Sequence, residues 1–364
     1  MLLGEAQSKC EHIAGVPLRP STAERLHQVY LAKGIAATTA IEGNTLSEEE
    51  VMARIEGKKT LPPSKEYLGQ EVDNILKACS LIGESLFKGE SGELSVQSIR
   101  NYNRMVLENL SLEVGVVPGE IRKHAVGVGR YRGAPAEDCE YLMETLFSWL
   151  NGEPFRSPGG STIAYGLIKA ITAHLYLAWI HPFGDGNGRT ARLVELQILL
   201  AAGVPSAAAH LLSNHYNETR QEYYHQLEKS SQSGGDVLPF IEYAVQGFVD
   251  GLKEQLKVIQ EQQWDIAWKN YVYDVFTGKT SEADHRRRDL IIDLSVAKKP
   301  VPLEKLREVS PRIAVAYAKK TKKTFTRDLN TLSKMNLIRP TGEGVIANRD
   351  IILAFLPARR AAGN

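Results

Sequence analysis

His181-Pro182-Phe183-Gly184-Asp185-Gly186-Asn187-Gly188-Arg189-Thr190-Ala191-Arg192 brings a histidine, a carboxylate, three glycines, an asparagine and two arginines into twelve consecutive residues. No hydrocarbon core needs that mixture. It supplies a base, a metal ligand, backbone donors free to turn outward, and two cations, which are the parts for handling a phosphate. Upstream, Thr162–Ile180 carries Ile163, Leu167, Ile171, Leu175 and Ala178, a spacing that fits one face of a helix. Downstream, residues 189–202 are rich in Leu and Ala, lack Pro, and are stopped by Gly203 and Pro205, which predicts a second helix. The run is therefore a loop between two helices, and its C-terminal half opens the second. A helix start offers unpaired N–H groups and partial positive charge. Gly186 and Gly188 allow close backbone approach and positive φ, and Asn187 tolerates the left-handed region. These features predict an anion nest for a di- or triphosphate, with Arg189 beside the phosphates and Arg192, one turn later, reaching the distal one.

Simpler and rival motifs account for less. Asp-Gly-Asn-Gly is ordinary turn chemistry, but a turn explains neither His181 nor the arginine pair. A P-loop needs four residues between its glycines and then Lys-Ser/Thr; Gly184 and Gly188 enclose three, and Arg189 follows. An EF-hand loop would accept Asp185 and Asn187 as alternate oxygen ligands, but Arg189 falls where a third belongs. No Cys or second His lies at zinc-ligand spacing.

The twelve residues match the signature HPFx[DE]GNGRxxR at every defined position, and the chain on this basis resembles the Fic family over roughly residues 20–250. The resemblance implies an all-α fold and transfer of AMP from ATP to a Ser, Thr or Tyr hydroxyl of a target protein. Doc-type relatives, which act as kinases, carry Lys where the glycine-rich part ends; Gly-Asn-Gly-Arg looks like the AMP-transferring branch. On that reading His181 is the general base, since an imidazole titrates near neutral pH. Asp185 holds Mg²⁺ between the α- and β-phosphates of ATP. The backbone N–H groups of Gly186, Asn187 and Gly188 stabilise charge on the phosphate oxygens. Asn187 would orient the α-phosphate, Arg189 the β-phosphate and Arg192 the γ-phosphate. Phe183 has no polar role and is expected to anchor the loop in the core.

Before the run, Ala125-Val126-Gly127-Val128-Gly129-Arg130-Tyr131 alternates Val and Gly between Gly-Pro signals, which predicts a short hairpin. An ordinary surface hairpin would read the same way. In Fic proteins a hairpin at this place is a flap that overlies the nucleotide and docks the target by strand addition, with Val126, Gly127, Val128 and Gly129 nearest the nucleotide. After the second helix, Tyr216, Arg220, Tyr223 and Tyr224 form a polar-aromatic cluster. The resemblance makes Tyr223 the candidate to flank adenine, against the plainer reading of Tyr223 as core. Ser231 stands where some relatives have Asn, so no polar base contact is carried over to it.

Thr38-Thr39-Ala40-Ile41-Glu42-Gly43-Asn44 ends a helix predicted from about Thr22. Gly43-Asn44 is a stop signal. Glu42 then sits in the last turn, where the helix dipole disfavours an anion by ~0.3–1 kcal/mol. A solvated glutamate would tolerate that cost. The resemblance favours another role: the family's inhibitory pattern [ST]xxxE[GN] matches Thr38, Glu42 and Gly43 and implies that Glu42 pairs with Arg192 and takes the space of the γ-phosphate. Relatives with this arrangement often form homodimers.

The 364 residues carry a net charge of +1, so no global electrostatic pull toward nucleic acid or membrane follows. Hydrophobic content of 43% supports a sizeable core. Cys10, Cys79 and Cys139 are scattered and odd in number, which suits a reducing compartment. The start Met1-Leu2-Leu3-Gly4-Glu5 lacks a signal-peptide pattern, and no stretch reads as a bilayer-spanning segment of ~20 apolar residues, so a cytoplasmic protein without membrane contact is expected.

Three parts are expected: residues 1–57, a helical region bearing Thr38 and Glu42; residues 58–267, the catalytic domain; and residues 280–358, a smaller module set off by Gly278-Lys279-Thr280-Ser281. Ser47 and Glu50 look like a capping box. In the last module, helices over 286–297 and 303–309 and a third through 324–332 precede strands flanking Thr341-Gly342-Glu343-Gly344, an order that resembles a winged helix. Lys319, Lys320, Lys322 and Lys323 lie beside its third helix, where contact with DNA phosphates or with a protein is expected. Two other functions stay open on sequence alone. One is hydrolysis of AMP from a modified protein in the same pocket, with Glu42 positioning water. The other is a DNA-binding regulator whose Fic pocket senses nucleotide.

Overall fold

A computed structural model describes residues 1–58, 61–89, 92–128, 131–157, 161–297 and 299–353. The described residues are mainly helical, as expected, and the chain divides into two compact units, 1–257 and 258–364. The first unit contains α1 (Leu2–Gly15), α2 (Pro20–Ile41), α3 (Glu48–Ile55), α4 (Glu66–Phe87) and α5 (Val96–Val106). A hairpin follows, β1 (Gly127–Val128) with β2 (Tyr131–Arg132), in which Gly127 faces Arg132 and Val128 faces Tyr131. Then come α6 (Cys139–Leu150), α7 (Thr162–Ile180), α8 (Asn187–Ala201), α9 (Leu211–Glu218), α10 (Arg220–Gln232) and the first part of α11 (Leu238–Val275). Residues 1–57 belong to the same compact unit as the helices after them.

Local chemistry sets the helix ends. α2 opens on Pro20, whose missing N–H costs nothing there, and stops where Gly43 takes φ +102°. The expected capping box closes on α3: Glu50 N–H donates to Ser47 Oγ at 3.2 Å, and Ser47 N–H donates to the Glu50 carboxylate at 3.1 Å.

α7 and α8 form the centre of this unit. Leu167, Ala170, Ile171, Ala173 and Leu175 on α7 and Val194 and Leu199 on α8 have no exposed surface. α8 packs against α2, α4, α5 and α7, so even Arg192, Glu195 and Gln197 are buried. Charged groups buried in this way need partners, and those partners define the site. The apolar surface of α7 meets α1, α6 and α8. Its 19 residues contain a window of mean hydropathy 1.4, long and apolar enough to cross a membrane by length and composition. This corrects the expectation that no segment reaches that size.

The second unit holds the end of α11, α12 (Glu282–Leu294), α13 (Pro311–Ala318), α14 (Lys322–Lys334) and the antiparallel pair β3 (Ile338–Thr341) and β4 (Gly344–Ala347). Val301 bridges to Val345 beside the pair. Trp268, Val272 and Phe276 of α11 pack with Leu290, Ile313, Leu332 and Val345, so the division falls inside α11, upstream of residues 278–281. The middle helix also differs from expectation. Residues 303–309 contain only a turn of 3-10 helix at Leu306–Glu308, and the helix is Pro311–Ala318. Ser310 Oγ accepts from Ile313 N–H at 3.3 Å and Pro311 takes the first turn, which starts the helix at that point.

Candidate active site

The run 181–192 joins α7 to α8 as the sequence suggests. His181 caps α7 in the left-handed region, φ 50° and ψ 59°, with its N–H donating to Leu177 O at 2.9 Å. Gly186, at φ 75°, is the N-cap of α8. The loop between them is pinned from inside. Asn187 Oδ1 accepts from Phe183 N–H at 2.9 Å, and Asn187 Nδ2 donates to Phe183 O at 2.8 Å. Phe183 is 1% exposed and its backbone bridges to Ile121, which makes it the expected anchor. Asn103 Nδ2 donates to Asp185 O at 2.9 Å and steadies the bend from α5.

This loop edges a cavity of about 960 Å³ lined by His181, Asp185, Gly186, Asn187, Gly188 and Arg192, by Val126 and Gly127 of the hairpin segment, and by Glu42, His174, Tyr223 and Tyr224. Such a volume lies within the ~300–1,000 Å³ usual for small-ligand sites. Val128 belongs to β1, and Gly129 lies outside the described residues. Two predicted contacts are differently engaged. The Asn187 amide is committed to the loop, so what Asn187 offers a ligand is its backbone N–H at the head of α8. Arg189 is 5% exposed, is paired at 3.3 Å with both Glu71 and Asp185, and is not among the lining residues.

His181 Nδ1 lies 3.4 Å from Ala178 O. A carbonyl oxygen only accepts, so Nδ1 carries the proton and Nε2 keeps its lone pair. Burial pushes the imidazole pKa below its ordinary 6.5, and Arg122 adds to the shift; the Ala178 contact, Glu42 and Asp185 pull upward without cancelling it. At neutral pH the ring is therefore uncharged, as a proton acceptor must be.

Arg122 has no sequence signal beyond its place in the segment leading to the hairpin. Its buried guanidinium donates to His181 O and His124 O, each at 2.7 Å, to Ala134 O at 2.5 Å and to Ile180 O at 3.3 Å. It thus ties both ends of the hairpin segment to the turn that presents His181. Arg122→Met would leave these carbonyls short of donors, and hydrogen bonds to charged groups are worth ~1.5–3 kcal/mol each. We predict a loss of about 2–4 kcal/mol in stability, read by urea unfolding.

Arg192 makes the contact with Glu42 that was expected from the sequence. It is 3% exposed. Nε donates to Thr38 Oγ1 at 2.7 Å, Nη2 donates to Thr38 O at 3.0 Å, and Nη2 donates to Glu42 Oε1 at 2.6 Å. Burial alone would raise the Glu42 carboxyl, but Arg192, with help from Arg189 and Arg220, holds it below its ordinary value. Arg192 Nη1 has no hydrogen-bond partner among the described residues. An unpartnered donor on a buried side chain calls for an explanation, and this one belongs to a residue that lines the cavity. Gly188 makes the contact sterically feasible: a Cβ there would stand 2.3 Å from Glu42 Oε1.

The tyrosines divide the work. Tyr223 is 3% exposed, and its hydroxyl lies 2.9 Å from His174 Nε2. Glu195, 1% exposed, stands 3.2 Å from His174 Nδ1 and accepts from Tyr216 OH at 2.9 Å. Tyr216 and Tyr223 stack at 4.7 Å. Tyr223 is thus a core residue, as the plainer reading has it, and also lines the cavity. Tyr224 is the open ring: it is 41% exposed, lines the cavity, and has Arg220 over its face at 5.9 Å. His174 and Glu195 escaped the sequence reading because single polar residues on an apolar helix give no periodic signal.

Comparison with known proteins agrees with this geometry. The family model described as "Fic/DOC family" matches residues 93–199. Protein adenylyltransferase fic-1 of Caenorhabditis elegans is 35% identical over 57% of this chain and 37% of its own length. Protein adenylyltransferase Fic of Drosophila virilis is 30% identical over 64% of this chain and 43% of its own. The chain thus spans about two fifths of the length of these relatives. Among solved structures, a Fic family protein from Desulfovibrio desulfuricans G20 superposes with a TM-score of 0.57 at 22% identity, over 93% of this chain and 91% of its own, a likeness of fold. A Fic-1 fragment from C. elegans gives 0.56 at 28% identity over 72% of each chain.

Proposed function

We propose that this protein, whose residues 93–199 match the Fic/DOC family model, is an adenylyltransferase that moves AMP from ATP to a hydroxyl of a target protein and is held back by its own Glu42. The observation that carries this reading is Arg192, a buried guanidinium with one unused donor, lining the same cavity as a neutral His181 and the N-terminus of α8. An anion fits between them. In the reaction His181 Nε2 takes the proton of the attacking hydroxyl. The hydroxyl oxygen bonds to the α-phosphorus, the bond from that phosphorus to the bridging oxygen breaks, and pyrophosphate leaves with the electron pair. The first N–H groups of α8 face the charge that builds on the α-phosphate. The hairpin β1–β2 would dock the target through its backbone, which accepts many sequences. Intact-mass measurement after incubation with ATP, on native protein and Glu42→Gly, tests the proposal: one added AMP supports it, and no adduct on either protein overturns it.

Asp185 suits magnesium in one respect. Its side chain is half-exposed toward solvent, and Mg²⁺ is usually held by one or two carboxylates together with substrate phosphates. No group of three or more His, Cys, Asp or Glu residues is gathered for a metal among the described residues. The donor set therefore fits a cation that arrives with the nucleotide, where it would screen phosphate charge. Asp185→Ala is expected to abolish the preference for Mg-ATP over free ATP in calorimetric binding and to slow transfer by roughly 10²-fold. An unchanged preference would remove Asp185 from this role.

Hydrolysis of AMP from a modified protein would use the same residues, with Glu42 ordering water. In the structure one Glu42 oxygen is engaged by Arg192, which favours the inhibitory role; release of AMP from a pre-modified target by native protein, lost in Glu42→Gly, would reverse that preference. We propose a reducing, cytoplasmic setting, which the free thiols of Cys10, Cys79 and Cys139 suit.

A further inference from the structure

We propose that the second unit binds duplex DNA through the exposed face of α14 and the turn before it. α13 and α14 are separated by only Lys319, Lys320 and Thr321, the length of a helix–turn–helix connection. The turn is fixed on both sides. Thr321 Oγ1 accepts from Thr324 N–H at 3.2 Å, and Arg307 donates to Lys320 O at 2.8 Å while its guanidinium sits 5.2 Å over Phe325. The basic side chains beside it are thus displayed from a rigid bend.

The charge distribution is one-sided. Residues 319–334 contain six basic residues and one acid, Asp328. Asp328 has no exposed surface; it accepts from Arg286, Arg287 and Tyr317 inside the unit. Phe325 and Leu332 share that inner side. Lys323, Arg327, Asn330 and Lys334 are all exposed and recur at helical spacing, so one acid-free stripe runs along α14. It spans about 16 Å at 1.5 Å per residue, roughly five base pairs of duplex.

The stripe's chemistry selects among polyanions. A membrane surface would want apolar residues next to the lysines, and the stripe has none. The major groove of RNA is too deep and narrow for a helix, whereas that of B-DNA admits one. Arg327 and Asn330 can each form paired hydrogen bonds to base edges, and the lysines of the turn suit phosphates. The tip of the β3–β4 hairpin carries exposed Glu343, so contact belongs to α14 and the turn and not to that tip.

The test is fluorescence anisotropy of the full-length chain with a labelled mixed-sequence duplex two helical turns long, at roughly 50 and 200 mM salt. Four phosphate contacts, from Lys319 and Lys320 of the turn and Lys322 and Lys323 at the head of α14, predict binding at the lower salt that weakens by about 10²-fold at the higher. Lys323→Glu should weaken binding by at least ~10-fold and flatten the salt slope by about one unit. Lys257→Glu, the same charge change at an exposed position on α11, should leave binding within about twofold of wild type. Circular dichroism melts establish that each variant is folded. The proposal is overturned if the wild type gives no anisotropy change at the lower salt, if Lys257→Glu weakens binding as much as Lys323→Glu, or if a double-stranded RNA of equal length binds as tightly.

Discussion

Glu42→Gly is expected to raise AMP incorporation about 10- to 100-fold. The estimate follows from what the substitution removes. Glu42 Oε1 meets Arg192 Nη2 at 2.6 Å, and a hydrogen bond between charged groups contributes ~1.5–3 kcal/mol, with tenfold in equilibrium for each ~1.4 kcal/mol. ATP that needs Arg192 must first displace this contact, so its productive binding is reduced by the fraction of molecules in which Arg192 is engaged. The substitution costs little elsewhere. Glu42 is the C-cap of α2, its side chain is 31% exposed, and glycine is favoured near a helix end. Arg192 keeps its two bonds to Thr38, so it stays in place to meet a phosphate. Acid should not mimic the substitution until low pH. The Glu42 carboxyl is held below its ordinary value, so the pair is intact above that value and is lost only as pH falls through the lowered one. Radiolabelled AMP incorporation by native and variant protein across pH measures both points. Equal incorporation by the two proteins would show that the contact is structural and restrains nothing.

The parts of this site that could be read from the sequence are those where a local rule is obeyed or broken within a few residues. The glycines and Asn187 announced a bend, and the apolar spacing of α7 and the Leu-Ala richness of α8 announced the helices on either side. Glu42 stood out because an anion at a helix C-terminus is unfavourable, and Arg192 proves to be the partner that offsets it. What escaped depends on distance in space. Arg122 holds four carbonyls, up to 59 positions away in sequence, and Glu71 takes Arg189 from 118 positions away. Neither leaves a mark on neighbouring residues. Tyr223 and Tyr224 show the limit most clearly: adjacent in sequence, they differ in exposure from 3% to 41%, because on a helix successive residues point about 100° apart and only packing decides which one meets the core. α13 differs from the expectation for a local reason. Ser310-Pro311 is a local start signal, but residues 303–309, read as the helix, form only a turn.

Replacing His181 with alanine in the Glu42→Gly background is expected to reduce transfer by about 10²–10⁴-fold, while calorimetric ATP binding changes little. The separation is possible because His181 caps α7, whereas the anion-binding groups belong to α8. The ring can be removed without touching Arg192 or the N–H groups that open α8. Loss of both binding and rate would point to a collapsed loop, since the left-handed backbone at position 181 is strained for alanine as well. His181→Asn distinguishes these outcomes, because asparagine tolerates that backbone and supplies no base. The pH dependence gives the sharper criterion. kcat/KM reports groups of the free enzyme, and in the free enzyme burial keeps the imidazole below 6.5. Its acid limb should therefore lie below 6.5. Glu42 is among the groups that raise the imidazole, so the limb should lie lower still once Glu42 is gone, whereas an acid with no electrostatic reach to the base would leave it unchanged. An acid limb at or above 6.5 in Glu42→Gly, or a His181→Asn protein that retains the rate within about twofold, would mean that the proton is taken by another group.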